Sequence, residues 1–210
     1  GIDSTVTALL IHKAIGNRQK CVFVNNGLLR LNEENEIEEM FKNNFHVNFT
    51  SVNATQTFLA KLKGVEDPER KRMVVGEEFI HVFTEFAEKN GPFKWLAQGT
   101  LYPDVIESGV SKGPASVIKS HHNVGGLPDW LDLEILEPLR DLYKDEVRKI
   151  AKILGVPEKL YMRHPFPGPG LAVRIIGEVT PTKLQISKIA SKIVEDELIA
   201  ADLYGKVWQA

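Results

Sequence analysis

Cys21-Val22-Phe23-Val24 is an apolar run of strand length that stops at Asn25-Asn26-Gly27. An unbroken apolar run closed by turn residues reads as a strand buried on both faces, the kind found in parallel sheets. Outward from it the pattern alternates. Leu31 to Phe45, opened by Asn32 and two glutamates and carrying Ile37, Met40 and Phe41 on one side, predicts a helix. Val47 to Val52 alternates and predicts a second strand. Thr55 to Lys63 predicts a short helix, and Pro68-Glu69 opens a long one that runs to Asn90. Lys94-Trp95-Leu96-Ala97-Gln98, stopped by Gly99, reads as a strand, as do Val117-Ile118 and Leu133-Glu134-Ile135-Leu136. Lys144 to Leu154 is helical, with Val147, Ile150, Ala151 and Leu154 on one stripe and Gly155 and Pro157 ending it. Toward the beginning, Ser4 to Ile15 has helical spacing and Gly16 as a stop.

Strands that take turns with helices predict an α/β fold with a doubly wound, mostly parallel sheet, whose ligands sit beyond the carboxyl ends of the strands. The segments after those ends are Asn25 to Arg30, Gly99 to Ser108 and Lys119 to Leu127. Pro165-Phe166-Pro167-Gly168-Pro169-Gly170 can continue neither a helix nor a central strand, so a boundary is expected there, with residues 1–164 as one domain and 165–210 as a linker and the start of another. Beyond it, Leu184, Ile186, Ile189, Ala190, Ile193, Val194 and Leu198 mark a C-terminal helical extension whose apolar face needs a partner.

The 210 residues carry 26 basic and 28 acidic side chains, a formal balance of -2. That balance argues against a polybasic arm for nucleic acid and leaves room for a local pocket that takes a phosphate ligand. A single cysteine, Cys21, cannot form an intramolecular disulfide, and no apolar run approaches membrane-spanning length, so a cytoplasmic protein with no membrane partner is expected. Cys21 lies inside an apolar strand without an elbow turn and reads as a structural thiol rather than a nucleophile.

Gly1-Ile2-Asp3-Ser4 stands at a helix start, where unpaired N–H groups and the positive dipole end attract oligophosphate. Two readings apply: a bland cap built on Ser4, or a phosphate loop in which backbone N–H groups and Ser4 hold oxygens and Asp3 holds Mg²⁺. The chain is expected to begin inside a longer glycine-rich loop. No Walker pattern, G-x-x-x-x-G-K-[ST], occurs. After the next strand, Gly99-Thr100-Leu101-Tyr102-Pro103-Asp104 brings a second carboxylate, Asp104, either as a helix cap or as a second magnesium ligand. Lys119-Ser120-His121-His122-Asn123-Val124-Gly125-Gly126 has the composition of a lid, in which Lys119 is either a solvated lysine or a charge that closes over polyphosphate. Glu69-Arg70-Lys71-Arg72 reads as an exposed helix face with intrahelical pairs, or as an arginine placed for a nucleotide monophosphate.

Arg163-His164-Pro165-Phe166-Pro167-Gly168-Pro169-Gly170-Leu171-Ala172-Val173-Arg174 resembles the signature of the GMP synthetase family, glutamine-dependent ligases that convert XMP into GMP. Trp95 to Thr100 with Tyr102 to Ser108, and Ile118 to Pro128, are similar to that family too, and Gly1-Ile2-Asp3-Ser4 matches the end of its Ser-Gly-Gly-x-Asp-Ser pyrophosphate loop. The resemblance implies an adenine nucleotide alpha hydrolase-like ATP pyrophosphatase domain over residues 1–164 and the start of a dimerisation domain over 165–210. It implies that ATP adenylates the C2 oxygen of XMP with release of pyrophosphate, and that ammonia then displaces AMP. It assigns Gly1, Asp3, Ser4 and Lys119 to the phosphates and Val24 and Gly99 to adenosine by their backbone. Mg²⁺ falls to Asp3 and Asp104, the catalytic roles to Asp3, Lys119 and Asp104, and an XMP contact to Arg72.

Asn25 stands where that family usually has Asp, so a charged role there is not carried over. No glutaminase residues occur, so ammonia is expected from a glutamine amidotransferase domain or subunit, and a homodimer is expected through the missing part of the dimerisation domain. The rivals are a non-catalytic nucleotide-binding subunit and another amidating ligase of the same fold, such as NAD synthetase.

Overall fold

The computed structural model describes residues 1–109 and 133–204. In chain order these form α1 (Ile2–Ile15), β1 (Cys21–Asn25), α2 (Glu33–Glu39), β2 (Phe49–Asn53), α3 (Thr55–Lys61), α4 (Pro68–Asn90), β3 (Trp95–Ala97), α5 (Tyr102–Gly109), β4 (Glu134–Leu136), α6 (Lys144–Ile153), α7 (Glu158–Tyr161) and α8 (Pro181–Ala200). The fold is mixed α/β. Its described strands form two two-stranded sheets, β1 with β2 and β3 with β4. Among the described residues no helix is long and apolar enough to cross a membrane. The strand expected at Val117-Ile118 and the lid from Lys119 to Leu127 lie outside the described residues.

The chain divides into two compact units. The first joins Gly1–Cys21 to Thr84–Arg163. Here α1 packs on α6, and Val6, Leu9, Leu101, Leu139, Val147, Ala151 and Val156 are buried. Val147 and Ala151, one helical turn apart, supply the inner face that the apolar stripe of α6 predicts. β3 and β4 run parallel, with Trp95 opposite Glu134, Leu96 opposite Ile135 and Ala97 opposite Leu136. Gln98 extends the ladder by donating its N–H to the Leu136 carbonyl at 2.9 Å.

The second unit joins Val22–Phe83 to His164–Ala210. Its core gathers Val24, Leu28, Ala54, Phe58, Leu62, Val74, Val75, Leu171, Ala172, Ile175, Val179 and Leu184. The helix expected from Leu31 to Phe45 begins at Glu33 and passes at Met40–Asn44 into a π turn. The chain leaves it through His46 at φ 51°, and the Val47 N–H donates to the Phe41 carbonyl at 3.0 Å. That bond takes Val47 out of the ladder, which is why β2 starts at Phe49. The aromatic rings of Phe23, Phe41 and Phe49 stack in series over this turn.

Two glycines allow close packing around the loop after β1. Gly170 has φ +63°, and a Cβ built on it would lie 2.4 Å from the Leu28 carbonyl oxygen, the same oxygen that accepts the Leu171 N–H at 2.8 Å. Gly27, at φ +76°, would bring a Cβ to 2.6 Å from the Thr55 methyl. Both positions combine left-handed backbone with close approach, which only glycine allows. Arg30 lies over the Phe166 ring at 4.1 Å and donates to the His164 carbonyl at 2.8 Å, fastening the loop after β1 to the same segment. α8 buries Leu184 but exposes Ile186, Ile189, Ile193 and Val194.

Candidate functional site

The first turn of α1 builds the centre of the site. The Gly1 carbonyl accepts from the Thr5 N–H and the Thr5 hydroxyl, both at 3.1 Å, and from the Ser4 hydroxyl at 3.0 Å. These bonds fix the turn, whose leading N–H groups have no carbonyl a turn earlier to meet. The Ser4 hydroxyl is thus engaged within the turn, and the N-cap position falls to Gly1. Gly99, immediately beyond β3, is packed against this turn. A Cβ there would stand 3.0 Å from the Asp3 carbonyl carbon and the Ser4 nitrogen, and 3.1 Å from the Asp3 Cβ. The structure therefore brings Gly1, Asp3, Ser4 and Gly99 together.

Sequence reasoning missed one residue of this group. Lys144, the first residue of α6, donates its ammonium to both carboxylate oxygens of Asp3 at 2.7 Å. Nothing local marks that lysine, because its partner is 141 residues away in the chain; the usable signal is only that α6 opens close to α1. The pair is partly exposed, with 44% and 29% of the two side chains accessible, so it contributes little to stability. It does show that the Asp3 carboxylate is aimed at a cation.

Asp104 serves α5. One of its oxygens accepts the Leu101 N–H at 2.9 Å, the capping arrangement that sequence alone leaves open beside metal binding. Tyr102 is tied to the start of α6 by its N–H, which donates to the Leu142 carbonyl at 3.0 Å, and by an edge-on contact with the Tyr143 ring at 5.4 Å.

No group of three or more His, Cys, Asp or Glu side chains that could hold a metal occurs among the described residues. A carboxylate already seating a cation at a helix start nonetheless suits Mg²⁺, which takes one or two carboxylates and fills its shell with phosphate oxygens and water. Asp3 is the residue that would hold it.

Val24 and Arg72 belong to the second unit. The Val24 side chain is in the core, which leaves its backbone as its only polar resource. Arg72 pairs with Glu69 one turn earlier at 3.2 Å, the intrahelical pair expected of an exposed face. Its neighbour Lys71 departs from that expectation and is fully buried. Lys119 lies outside the described residues.

Cys21 accepts a hydrogen bond at its Sγ from the Gln19 amide at 2.8 Å. Burial pushes its thiol above the ordinary cysteine range, and the Gln19 contact opposes this only in part. A raised value keeps the thiol protonated through neutral pH, so alkylation of the native protein by iodoacetamide at pH 8 should be about tenfold slower than after unfolding in urea. Equal rates, measured by mass spectrometry, would show an accessible thiolate instead.

No protein-family model matches the chain. Among curated proteins it is 58% identical to the GMP synthase (glutamine-hydrolyzing) of Oleidesulfovibrio alaskensis over 209 residues, which cover 100% of the chain and 40% of that protein. It is 58% identical over 209 residues to the protein of the same name from Nitratidesulfovibrio vulgaris, covering 41% of it. It is 56% identical over 210 residues to that from Thermotoga maritima, covering 42%. The chain is thus similar throughout to one part of proteins named GMP synthase, and it spans about 40% of the length of the curated relatives it matches.

Proposed function

We propose that the chain is the ATP pyrophosphatase part of a glutamine-hydrolysing GMP synthase, with the doubly wound, mostly parallel fold of the adenine nucleotide alpha hydrolases. The observation that carries this is the 56–58% identity that runs through the whole chain to proteins bearing that name. The packing of Gly99 onto the first turn of α1 supports it, since it brings the carboxyl end of β3 to a helix N-terminus, where phosphate groups bind.

In this reading ATP lies with its phosphates at Gly1, Asp3 and Ser4 and its adenosine against the backbone of Gly99. The C2 oxygen of XMP attacks the α-phosphorus, and the bond to pyrophosphate breaks. Ammonia then attacks C2, and AMP departs with the oxygen it activated. The chain's part is positioning and charge neutralisation. Asp3 would hold the divalent ion, which would neutralise phosphate charge when bound. Lys144, released from Asp3, and Lys119 supply cations to the departing pyrophosphate. Asp104 acts through α5, holding the loop after β3 in shape, and contributes to the metal shell. Arg72 contacts XMP.

Ammonia reaches the site from a glutamine amidotransferase domain or subunit. The exposed isoleucines of α8 support a homodimer formed through the region from residue 165 onward. The enzyme works in the cytoplasm.

The test is the coupling of substrates. With ATP and Mg²⁺ alone the intact enzyme should release no pyrophosphate above background; adding XMP and ammonium should give AMP, pyrophosphate and GMP in equal amounts. Equal turnover with nicotinate adenine dinucleotide in place of XMP would reassign the chain to a different amidating ligase.

A further inference from the structure

Lys71 is a buried charged side chain, among the described residues, whose surroundings the functional reading does not use. It sits in the first turn of α4, is 0% exposed, and spends all three ammonium N–H groups on main-chain carbonyls: Ala172 at 3.2 Å, Ile175 at 2.6 Å and Gly177 at 2.6 Å. An ammonium has three donors and no acceptor, so this shell is complete. No carboxylate is among its hydrogen-bond partners. The turn it grips is shaped for it. Gly177 takes φ +70°, and the carbonyl of Ile176 turns the other way to accept from Lys183 at 3.2 Å. Desolvation and the neighbouring charge of Lys183 lower the Lys71 pKa, with Glu66 and Asp67 opposing them. A buried cation held without an anion is costly wherever an apolar residue would fill the space, so its presence calls for a role.

The grip joins two arginines. Arg72 follows Lys71 directly, and the gripped carbonyls of Ala172 and Ile175 bracket Arg174, which is exposed and lies over the Phe166 ring at 5.4 Å. On the proposed function, which this step rests on, Arg72 meets the nucleotide monophosphate. We infer that Lys71 is a positioning residue for that substrate. Its ammonium fixes the α4 turn that carries Arg72 to the turn that carries Arg174, so the two guanidinium groups form one preset edge for an anionic nucleotide. Lys71 itself touches no substrate. Its loss lets the two turns move apart, which weakens XMP binding and leaves ATP binding as it was.

The decisive comparison uses the intact enzyme. Lys71→Met should raise KM for XMP about tenfold or more while KM for ATP stays within about twofold, and Lys71→Gln, which keeps two donors, should fall between. An unchanged KM for XMP, or equal rises for both substrates, overturns the inference. Hydrogen exchange on the unsubstituted enzyme decides the matter even where Lys71→Met does not fold. XMP should slow exchange in residues 68–76 and 170–178 together, and ATP alone should not. Protection elsewhere that spares both stretches overturns this inference alone. Absence of any effect of XMP on the chain overturns the functional reading, and this inference with it.

Discussion

Gly170→Ala is expected to cost about 2–5 kcal/mol of stability, the sum of about 1–2 kcal/mol for a side chain in left-handed backbone and about 1–3 kcal/mol for overpacking. The added methyl would stand 2.4 Å from the Leu28 carbonyl oxygen and 2.8 Å from the Leu28 Cβ. Neither atom can swing away: the oxygen holds the Leu171 N–H, and Leu28 and Leu171 are both fully buried. Moving the loop after β1 would also strain the bond from Arg30 to the His164 carbonyl. Gly168→Ala is the internal control. It lies two residues away in the same segment, has nothing within 4 Å of an added Cβ, and should change stability by less than about 0.5 kcal/mol. Urea unfolding followed by circular dichroism reads both. A Gly170→Ala cost as small as that of Gly168→Ala would mean that the two chain segments do not meet as described.

The largest effect on turnover is expected at Asp3. Asp3→Ala should lower XMP-dependent pyrophosphate release about 10²- to 10³-fold, the usual consequence of removing one group that stabilises charge in the reaction. The fold should survive, because the side chain is partly exposed and a surface ion pair such as that with Lys144 is worth about 0–1 kcal/mol. Unfolding midpoints measured beside the kinetics separate the two effects. Turnover within tenfold of the unsubstituted enzyme would remove Asp3 from the reaction and leave it as the anchor of Lys144.

Much of the fold could be read before any coordinates. The apolar run at Cys21 to Val24 marks a strand, the stripe of Val147 and Ala151 a helix face and Gly99 a stop, each by a local rule, although of that run only Val24 is buried where burial on both faces is expected. The helix start at α1 was legible for the same reason, and the structure begins that helix at Ile2. Contacts across long separations were not. The Lys144 partner of Asp3 could not be found from spacing. Lys71 was misread with the basic cluster around it, because the carbonyls that accept its ammonium come from a turn about 100 residues further along the chain. A charged side chain in a charged run gives no sign of being buried; only the shape of the receiving turn does. The π turn at Met40–Asn44 was hidden too, since no breaker residue marks it: it closes with the Phe45 N–H on the Met40 carbonyl, and the Val47 N–H then meets Phe41.

The missing side chain at position 99 has one last consequence. Because the bend behind β3 rests directly on the backbone of Asp3 and Ser4, the two segments mesh like gear teeth, and a methyl group at position 99 would push one of them out of place. A graft of either stretch into another scaffold would keep its shape only if the other travelled with it.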